Sequence, residues 1–134
     1  MKVERVDHIS IAVRNLEEAV RRWEEMLGIH VTNRYRDEEG EKINVAQFQL
    51  GETIIELMEP TSPDSEVQKF LDRRGEGIMV LSLRVDDVAQ ALRELREKGA
   101  PVIDNEPRRL GQVQFGFAHP KGFNGVLLEL ISGP

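Results

Sequence analysis

The chain contains an internal repeat, in which an alternating strand is followed by an amphipathic helix. A shift of 72 residues places residues 7–13 on residues 79–85 and His8 on Val80, and both segments alternate in the way that strands with one buried face do. The helices that follow share an apolar stripe, and residues 54–57 and 127–130 close the two copies in the same way. Self-similarity at a fixed spacing predicts two copies of one supersecondary unit.

Each copy has the pattern of a β-α-β-β-β module. In the first copy, Asn15 is a typical N-cap and Gly28 stands where helices normally stop, so a helix is predicted between them. Strands are predicted at residues 5–13, 29–35, 43–50 and 53–58. A short helix is predicted between Ser65 and Gly75. The second copy is predicted to have strands opening at Ile78 and at residues 101–103, 113–118 and 126–131, a helix at residues 87–98, and loops at residues 108–111 and 119–125.

The predicted elements leave no room for a second functional domain. We therefore expect one α+β domain over residues 1–134, built from two pseudo-symmetric β-α-β-β-β modules. Module one spans about residues 1–60, a linker with a short helix spans about residues 61–76, and module two spans about residues 77–134. Turn-forming residues at 59–65 mark the join between the modules.

Composition excludes several functional classes. The chain has no cysteine, which rules out disulfides, thiolate metal sites and cysteine nucleophiles. A formal net charge of −6 disfavours nucleic-acid binding, since neutralising phosphates requires a basic face. No run approaches the ~20 apolar residues of a membrane span, and the N-terminus leads into a strand without a signal-type apolar segment. We expect a cytoplasmic protein with no membrane or nucleic-acid partner.

Acidic residues at equivalent places in the two copies mark the candidate site. Glu56 and Glu129 each lie within an otherwise apolar strand, where burying a carboxylate alone costs several kcal/mol. A single strand histidine such as His8 is more often structural than functional, but equivalent polar positions in a repeat favour one shared cavity. The fourth position of that set, matching His8, is Val80.

Segments along the whole chain resemble methylmalonyl-CoA epimerases of the vicinal oxygen chelate (glyoxalase/bleomycin resistance/dioxygenase) superfamily. The resemblance is most specific in the linker at residues 59–65 and in the last strand, and it extends to residues 7–13, 69–71, 75–78, 85–87 and 119–121. It implies paired modules that form an open, U-shaped mixed sheet around a divalent metal ion (cobalt, manganese, nickel or zinc). It also implies an acyl-CoA substrate and a homodimer.

The resemblance assigns roles residue by residue. The family's metal ligands match His8, Glu56 and Glu129, while Val80 replaces a ligand histidine and offers no donor atom. Glu129 and Glu56 are the candidate catalytic residues. The candidate substrate-binding residues are Ser10, Gln47, Ser82, His119 and Lys121.

The activity implied by the resemblance is that of an isomerase that moves the α-proton of an acyl-CoA thioester. In that scheme the metal ion polarises the thioester carbonyl and a carboxylate removes the proton. Val80 favours an alternative, a metal-free ligand-binding or repurposed protein of the same fold. A non-haem iron dioxygenase ranks last, because such enzymes use two histidines and one carboxylate.

Overall fold

The computed structural model describes residues 1–134, and its elements follow the predicted order closely. The strands are β1 (Val3–Ala12), β2 (Asn33–Asp37), β3 (Ile43–Leu50), β4 (Thr53–Pro60), β5 (Gly77–Val85), β6 (Arg108–Leu110), β7 (Val113–Ala118) and β8 (Leu127–Ser132). The helices are α1 (Leu16–Leu27), α2 (Glu66–Arg74) and α3 (Val88–Glu97). A 3-10 turn lies at Pro120–Gly122.

The residues divide into two compact units, of which the first is Ile9–Met79. In this unit β2, β3 and β4 lie side by side and pair in antiparallel fashion. Helix α1 packs against β3 and β4, and α2 packs against β4. The apolar residues of this unit form two clusters, one around Phe48 and Leu57 and one around Val45 and Phe70. The pairing of β3 with β4 places Gln47 opposite Glu56.

The second unit consists of Met1–His8 and Val80–Pro134. Its strands follow the order β5-β8-β7-β6, with β5 and β8 parallel and the other two pairs antiparallel. Helix α3 packs on β7 and β8 and buries Val88, Leu92 and Leu95. The parallel register sets Ser82 opposite Glu129. The boundaries between the units lie within β1 and within β5, between Met79 and Val80. The division of the chain into repeat modules at residues 1–60 and 77–134 stays a prediction.

The helix ends are where the sequence predicts them. The Asn15 side chain accepts a hydrogen bond from the Glu18 backbone amide at 3.1 Å, which satisfies one of the free amides of the first turn. Gly28 ends α1 with a φ of 67°, a left-handed conformation that favours glycine. Ser65 caps α2 in the same manner as Asn15 caps α1. Capping therefore sets these boundaries locally, and the sequence alone predicts them.

Three predicted segments are corrected. Residues 101–103 form only an isolated bridge, between Val102 and Ala118, partly because Pro101 has no amide to donate to a strand. Residues 108–110, predicted to be a loop, form β6, which pairs with β7 across a turn where Gly111 has a φ of 62°. All three residues of β6 are exposed, so no alternation marks the strand. Strand β2 begins at Asn33 rather than at residue 29.

The mixture of elements confirms the predicted α+β class. Helices are interspersed with runs of consecutive strands, and parallel and antiparallel pairs both occur. No helix has the length and hydrophobicity needed to cross a membrane.

Candidate active site

His8 of β1 and Glu129 of β8 meet in the second unit. The imidazole Nε2 lies 3.0 Å from Glu129 Oε1, and each side chain is only 10% exposed. This is hydrogen-bond distance, and the contact is a hydrogen bond only when one of the two atoms carries a proton; Oε1 has no other hydrogen-bond partner. The structure therefore brings together two of the predicted site residues and leaves one buried carboxylate oxygen unsatisfied.

Ser82 shares this feature with Glu129. The Ser82 hydroxyl is also buried without a hydrogen-bond partner, and the whole residue is inaccessible to solvent. The two residues are register partners on the adjacent parallel strands β5 and β8, so both project to the same side of the pair. A buried polar atom without a partner costs roughly 1–3 kcal/mol, and such atoms in native structures are often found at functional sites. The unpartnered atoms of Ser82 and Glu129, two residues paired in register, indicate a functional site in this part of the second unit.

Asp7 holds the other ring nitrogen of His8. Asp7 Oδ2 lies 2.8 Å from His8 Nδ1, and Arg84 Nε donates to Asp7 Oδ1 at 2.9 Å. Burial alone raises the pKa of Asp7, but the hydrogen bonds from His8 and Arg84 and the positive charge of Arg84 outweigh it and lower the pKa below its usual value. Asp7 is therefore an ionised carboxylate at neutral pH, and its Oδ2 accepts a hydrogen bond from His8 Nδ1.

Glu56 occupies a different environment in the first unit. Its carboxylate accepts hydrogen bonds from Gln47 Nε2 at 2.6 Å, Ser10 Oγ at 2.9 Å and Tyr35 Oη at 3.2 Å. Gln47 is held in turn by Asn33, whose Nδ2 donates to Gln47 Oε1 at 3.0 Å. The predicted residues Ser10, Gln47 and Glu56 thus lie together, and they form a hydrogen-bonded network that fixes the carboxylate.

The predicted metal ligands do not form a three-ligand set. A catalytic divalent centre usually has three protein ligands, and no group of three or more histidine, cysteine, aspartate or glutamate side chains is arranged to hold a metal ion. Val80 offers no donor atom, and three hydrogen bonds already engage the Glu56 oxygens. His8 and Glu129 alone supply two donors. The residues as placed do not fit a resident divalent ion.

The remaining predicted residues take local structural positions. His119 Nδ1 accepts the Lys121 backbone amide at 3.0 Å and so caps the 3-10 turn at Pro120–Gly122. Lys121 is exposed to solvent. Val80 is buried on β5, two residues before Ser82 and on the same side of the strand.

Sequence reasoning missed three residues of these networks. Asp7 and His8 are neighbours in β1, and strand alternation assigns neighbours to opposite faces, so their contact was not expected. Arg84 stood out only as a charged residue within an apolar strand. Tyr35 is the single tyrosine of the chain, and no spacing rule links it to Glu56. The signal in the sequence that could identify these three residues is an ionisable or hydroxyl side chain within a predicted strand.

Comparison with known proteins places the chain among characterised relatives. Ethylmalonyl-CoA/methylmalonyl-CoA epimerase of Cereibacter sphaeroides is 34% identical over 129 residues, which cover 94% of this chain and 96% of that protein. A single-residue variant of Streptomyces coelicolor methylmalonyl-CoA epimerase, solved with 2-nitronate-propionyl-CoA, superposes with a TM-score of 0.90 at 33% identity, covering 97% of this chain and 94% of the other.

A second solved structure gives the same match. A methylmalonyl-CoA epimerase in complex with methylmalonyl-CoA and NH4+ has a TM-score of 0.90 and 33% identity, with 97% of this chain and 94% of that chain covered. This agreement confirms the fold that the resemblance implied. The family model of the Glyoxalase/Bleomycin resistance protein/Dioxygenase superfamily matches residues 7–117. The chain therefore belongs to the Glyoxalase/Bleomycin resistance protein/Dioxygenase superfamily, and within it is similar to methylmalonyl-CoA epimerases.

Proposed function

We propose that this chain is an isomerase that epimerises a short branched acyl-CoA, with methylmalonyl-CoA as the first candidate substrate. The names of the relatives support this choice, because two independent comparisons lead to epimerases that match nearly the whole chain. One of the matched structures contains methylmalonyl-CoA itself. The chemistry required is removal of the α-proton of a thioester and its return to the opposite face.

The observation that carries the proposal is the unpartnered Oε1 of Glu129. Glu129 is buried, its Oε1 has no hydrogen-bond partner, and His8 Nε2 lies 3.0 Å from that oxygen, so the pair can take up a proton and hold it away from water. Proton abstraction next to a thioester needs such a base.

The proton has a defined destination in the second unit. As the α-carbon–hydrogen bond breaks, its electron pair moves into the thioester to form an enolate, and the proton goes to the Glu129 carboxylate. Protonated Glu129 then has an acceptor at 3.0 Å, His8 Nε2, because Asp7 holds the ring proton at Nδ1. The hydrogen bond that is missing in the resting protein can form in the enolate complex, and it favours that complex over the ground state.

Glu56 is proposed as the acid–base group for the other face of the enolate. Its three hydrogen-bond donors hold the carboxylate in one orientation, as proton delivery to a single carbon requires. Ser10 and Gln47, predicted to bind substrate, are proposed to act through Glu56. Ser82 is fully buried and is proposed to act by orienting Glu129.

The test is isotope exchange in D2O. Methylmalonyl-CoA is incubated with the protein, and deuterium at the α-carbon is followed by mass spectrometry, in parallel with Glu129→Gln. The proposal expects enzyme-dependent incorporation into both epimers with the native protein and into only one of them with this variant. Absence of incorporation with the native protein, both after chelator treatment and with added cobalt or manganese, would contradict it.

Val80 favours one alternative function, a metal-free binding protein for acyl-CoA. This alternative expects saturable binding of methylmalonyl-CoA by calorimetry, together with no deuterium incorporation under any metal condition. Binding combined with exchange would exclude it. Calorimetry and exchange on one preparation thus separate the two functions.

The divalent ion and the homodimer implied by the resemblance remain predictions with their own measurements. Elemental analysis of the purified protein tests for a resident cobalt, manganese, nickel or zinc ion. Sedimentation equilibrium tests for the dimer. His119 and Lys121 are proposed to lie near the CoA portion, and Lys121→Ala tests this through the KM for the acyl-CoA.

A further inference from the structure

Arg84 lies behind the His8–Glu129 pair and has two hydrogen bonds of its own. Its Nε donates to Asp7 Oδ1 at 2.9 Å, and its Nη1 donates to the backbone carbonyl of Gly133 at 2.6 Å. The guanidinium therefore ties β5 to the C-terminal segment and to β1 at one point. Because the fork is planar and rigid, these two contacts fix the direction from which it meets the Asp7 carboxylate.

Asp7, held in this orientation, in turn orients the imidazole ring of His8. The carboxylate binds Arg84 through Oδ1 and His8 Nδ1 through Oδ2, so each oxygen has a separate partner. An ionised carboxylate only accepts hydrogen bonds, and the nitrogen facing it must carry the proton. A carboxylate partner is a common means of fixing the tautomer and the orientation of a histidine.

We propose that Arg84 is a positioning residue that, through Asp7, keeps the proton of His8 on Nδ1 and presents Nε2 to Glu129. Without Arg84, the Asp7 carboxylate can rotate and the ring can adopt the other tautomer, with Nε2 carrying the hydrogen. Nε2 then no longer accepts a hydrogen bond from protonated Glu129. The consequence for catalysis rests on the proposed function, whereas the position of the proton on the ring does not.

The chain offers a matched control in a second arginine near the same carboxylate. Arg5 Nη1 lies 3.8 Å from Asp7 Oδ1 and its side chain is 36% exposed, whereas Arg84 bonds that oxygen at 2.9 Å and is 21% exposed. The two residues bring the same charge to the same carboxylate. Of these two contacts, that of Arg84 has the distance of a hydrogen bond and that of Arg5 is longer, so a charge effect and a positioning effect can be separated.

The experiment reads the ring nitrogens directly by nitrogen-15 NMR of the imidazoles in the substrate-free protein. The chain has three histidines, and the spectrum of His8→Gln assigns the His8 signals. Arg84→Met, Arg84→Lys and Arg5→Met are compared with the native protein, after thermal melts establish that each variant is folded. Arg84→Lys keeps the charge without the fork and replaces Arg84→Met if the latter does not fold.

The native protein is expected to have the His8 proton on Nδ1, Arg84→Met to populate the Nε2–H tautomer, Arg84→Lys to give an intermediate spectrum, and Arg5→Met to match the native one. An unprotonated Nδ1 in the native protein would overturn the proposal. So would native-like His8 signals in both folded Arg84 variants. The matching kinetic expectation is a kcat about tenfold lower in Arg84→Met at nearly constant KM. If the native protein has no activity, the NMR result still decides the position of the proton.

Discussion

His8 Nε2 lies 3.0 Å from Glu129 Oε1, yet that oxygen has no hydrogen-bond partner. A histidine and a carboxylate on neighbouring parts of one unit would ordinarily form an aligned ion pair. Here the other ring nitrogen is engaged by Asp7, and the carboxylate oxygen stays unsatisfied. Keeping this oxygen unpartnered costs free energy that a bound ligand or a transferred proton can recover. The predictions on the site follow from this relationship.

The two carboxylates are expected to serve opposite epimers of the substrate. Glu129→Gln and Glu56→Gln should each lower the rate of epimerisation by about 10²–10⁴-fold, the usual contribution of a general acid or base. Each variant should still exchange the α-proton of the one epimer that its remaining carboxylate can reach. Deuterium incorporation into each purified epimer, followed by mass spectrometry, makes the measurement. Loss of exchange from both epimers in both variants would contradict two separate roles.

Restoring an imidazole at position 80 is expected to create divalent metal affinity. Val80 lies two residues before Ser82 on the same side of β5, and Ser82 is in register with Glu129. Val80→His should therefore add a nitrogen donor near His8 and Glu129, and tighten cobalt or manganese binding by about tenfold or more. Calorimetric titration with the metal salt measures this.

The control for that experiment is Ile78→His. Ile78 is 66% exposed on the same strand, so this variant adds an imidazole without a buried site. Equal metal affinity in the two variants would mean that position 80 does not face a donor set. A rise in proton exchange that accompanies metal binding only in Val80→His would identify the native site as one that has lost a ligand.

Asp7→Asn is expected to destabilise the protein in a pH-dependent way. The pKa of Asp7 is lower in the folded protein than its ordinary value, so its charge adds stability above the unfolded pKa, and that contribution disappears as the pH falls through the folded value. The variant should lose roughly 1–3 kcal/mol at pH 7, and the difference from the native protein should shrink below about pH 4. Urea unfolding at pH 7, 5 and 3 measures it.

Asp72→Asn provides the comparison for Asp7, because Asp72 is exposed and bonded only to Gln68 within α2. Its free energy of unfolding should stay within about 0.5 kcal/mol of the native value. A loss in Asp7→Asn that is the same at every pH would show that packing, not the charge, accounts for the effect.

Ser65 is expected to stabilise the start of α2. Its hydroxyl accepts the Val67 backbone amide at 3.2 Å and donates to the Glu41 carbonyl at 3.1 Å, and the residue is buried. Ser65→Ala should lower the free energy of unfolding by about 1–2 kcal/mol. Ser62→Ala removes a hydroxyl that bonds only the exposed Asp64, and its smaller effect in urea unfolding is the control. Equal losses would assign the effect to the linker rather than to the cap.

Local patterns sufficed for most of the secondary structure. Period-two alternation marked β1 and β5, and capping residues such as Asn15 and Gly28 marked the helix ends, because these signals act between residues close in the chain. The same reasoning failed for Arg108–Leu110, where the strand is exposed on both sides and exists only because β7 offers it hydrogen bonds.

By itself, the sequence determined the repeat, the α+β class and the two strand carboxylates, since a charge within an apolar strand is visible in one dimension. Only the tertiary structure decided that Glu56 is held by three donors while Glu129 keeps an unpartnered oxygen. The partners that make this difference, such as Tyr35 for Glu56 and Asp7 for His8, are brought into contact by folding. Hydrogen-bond satisfaction depends on distances and angles between atoms, and no spacing along the chain encodes them.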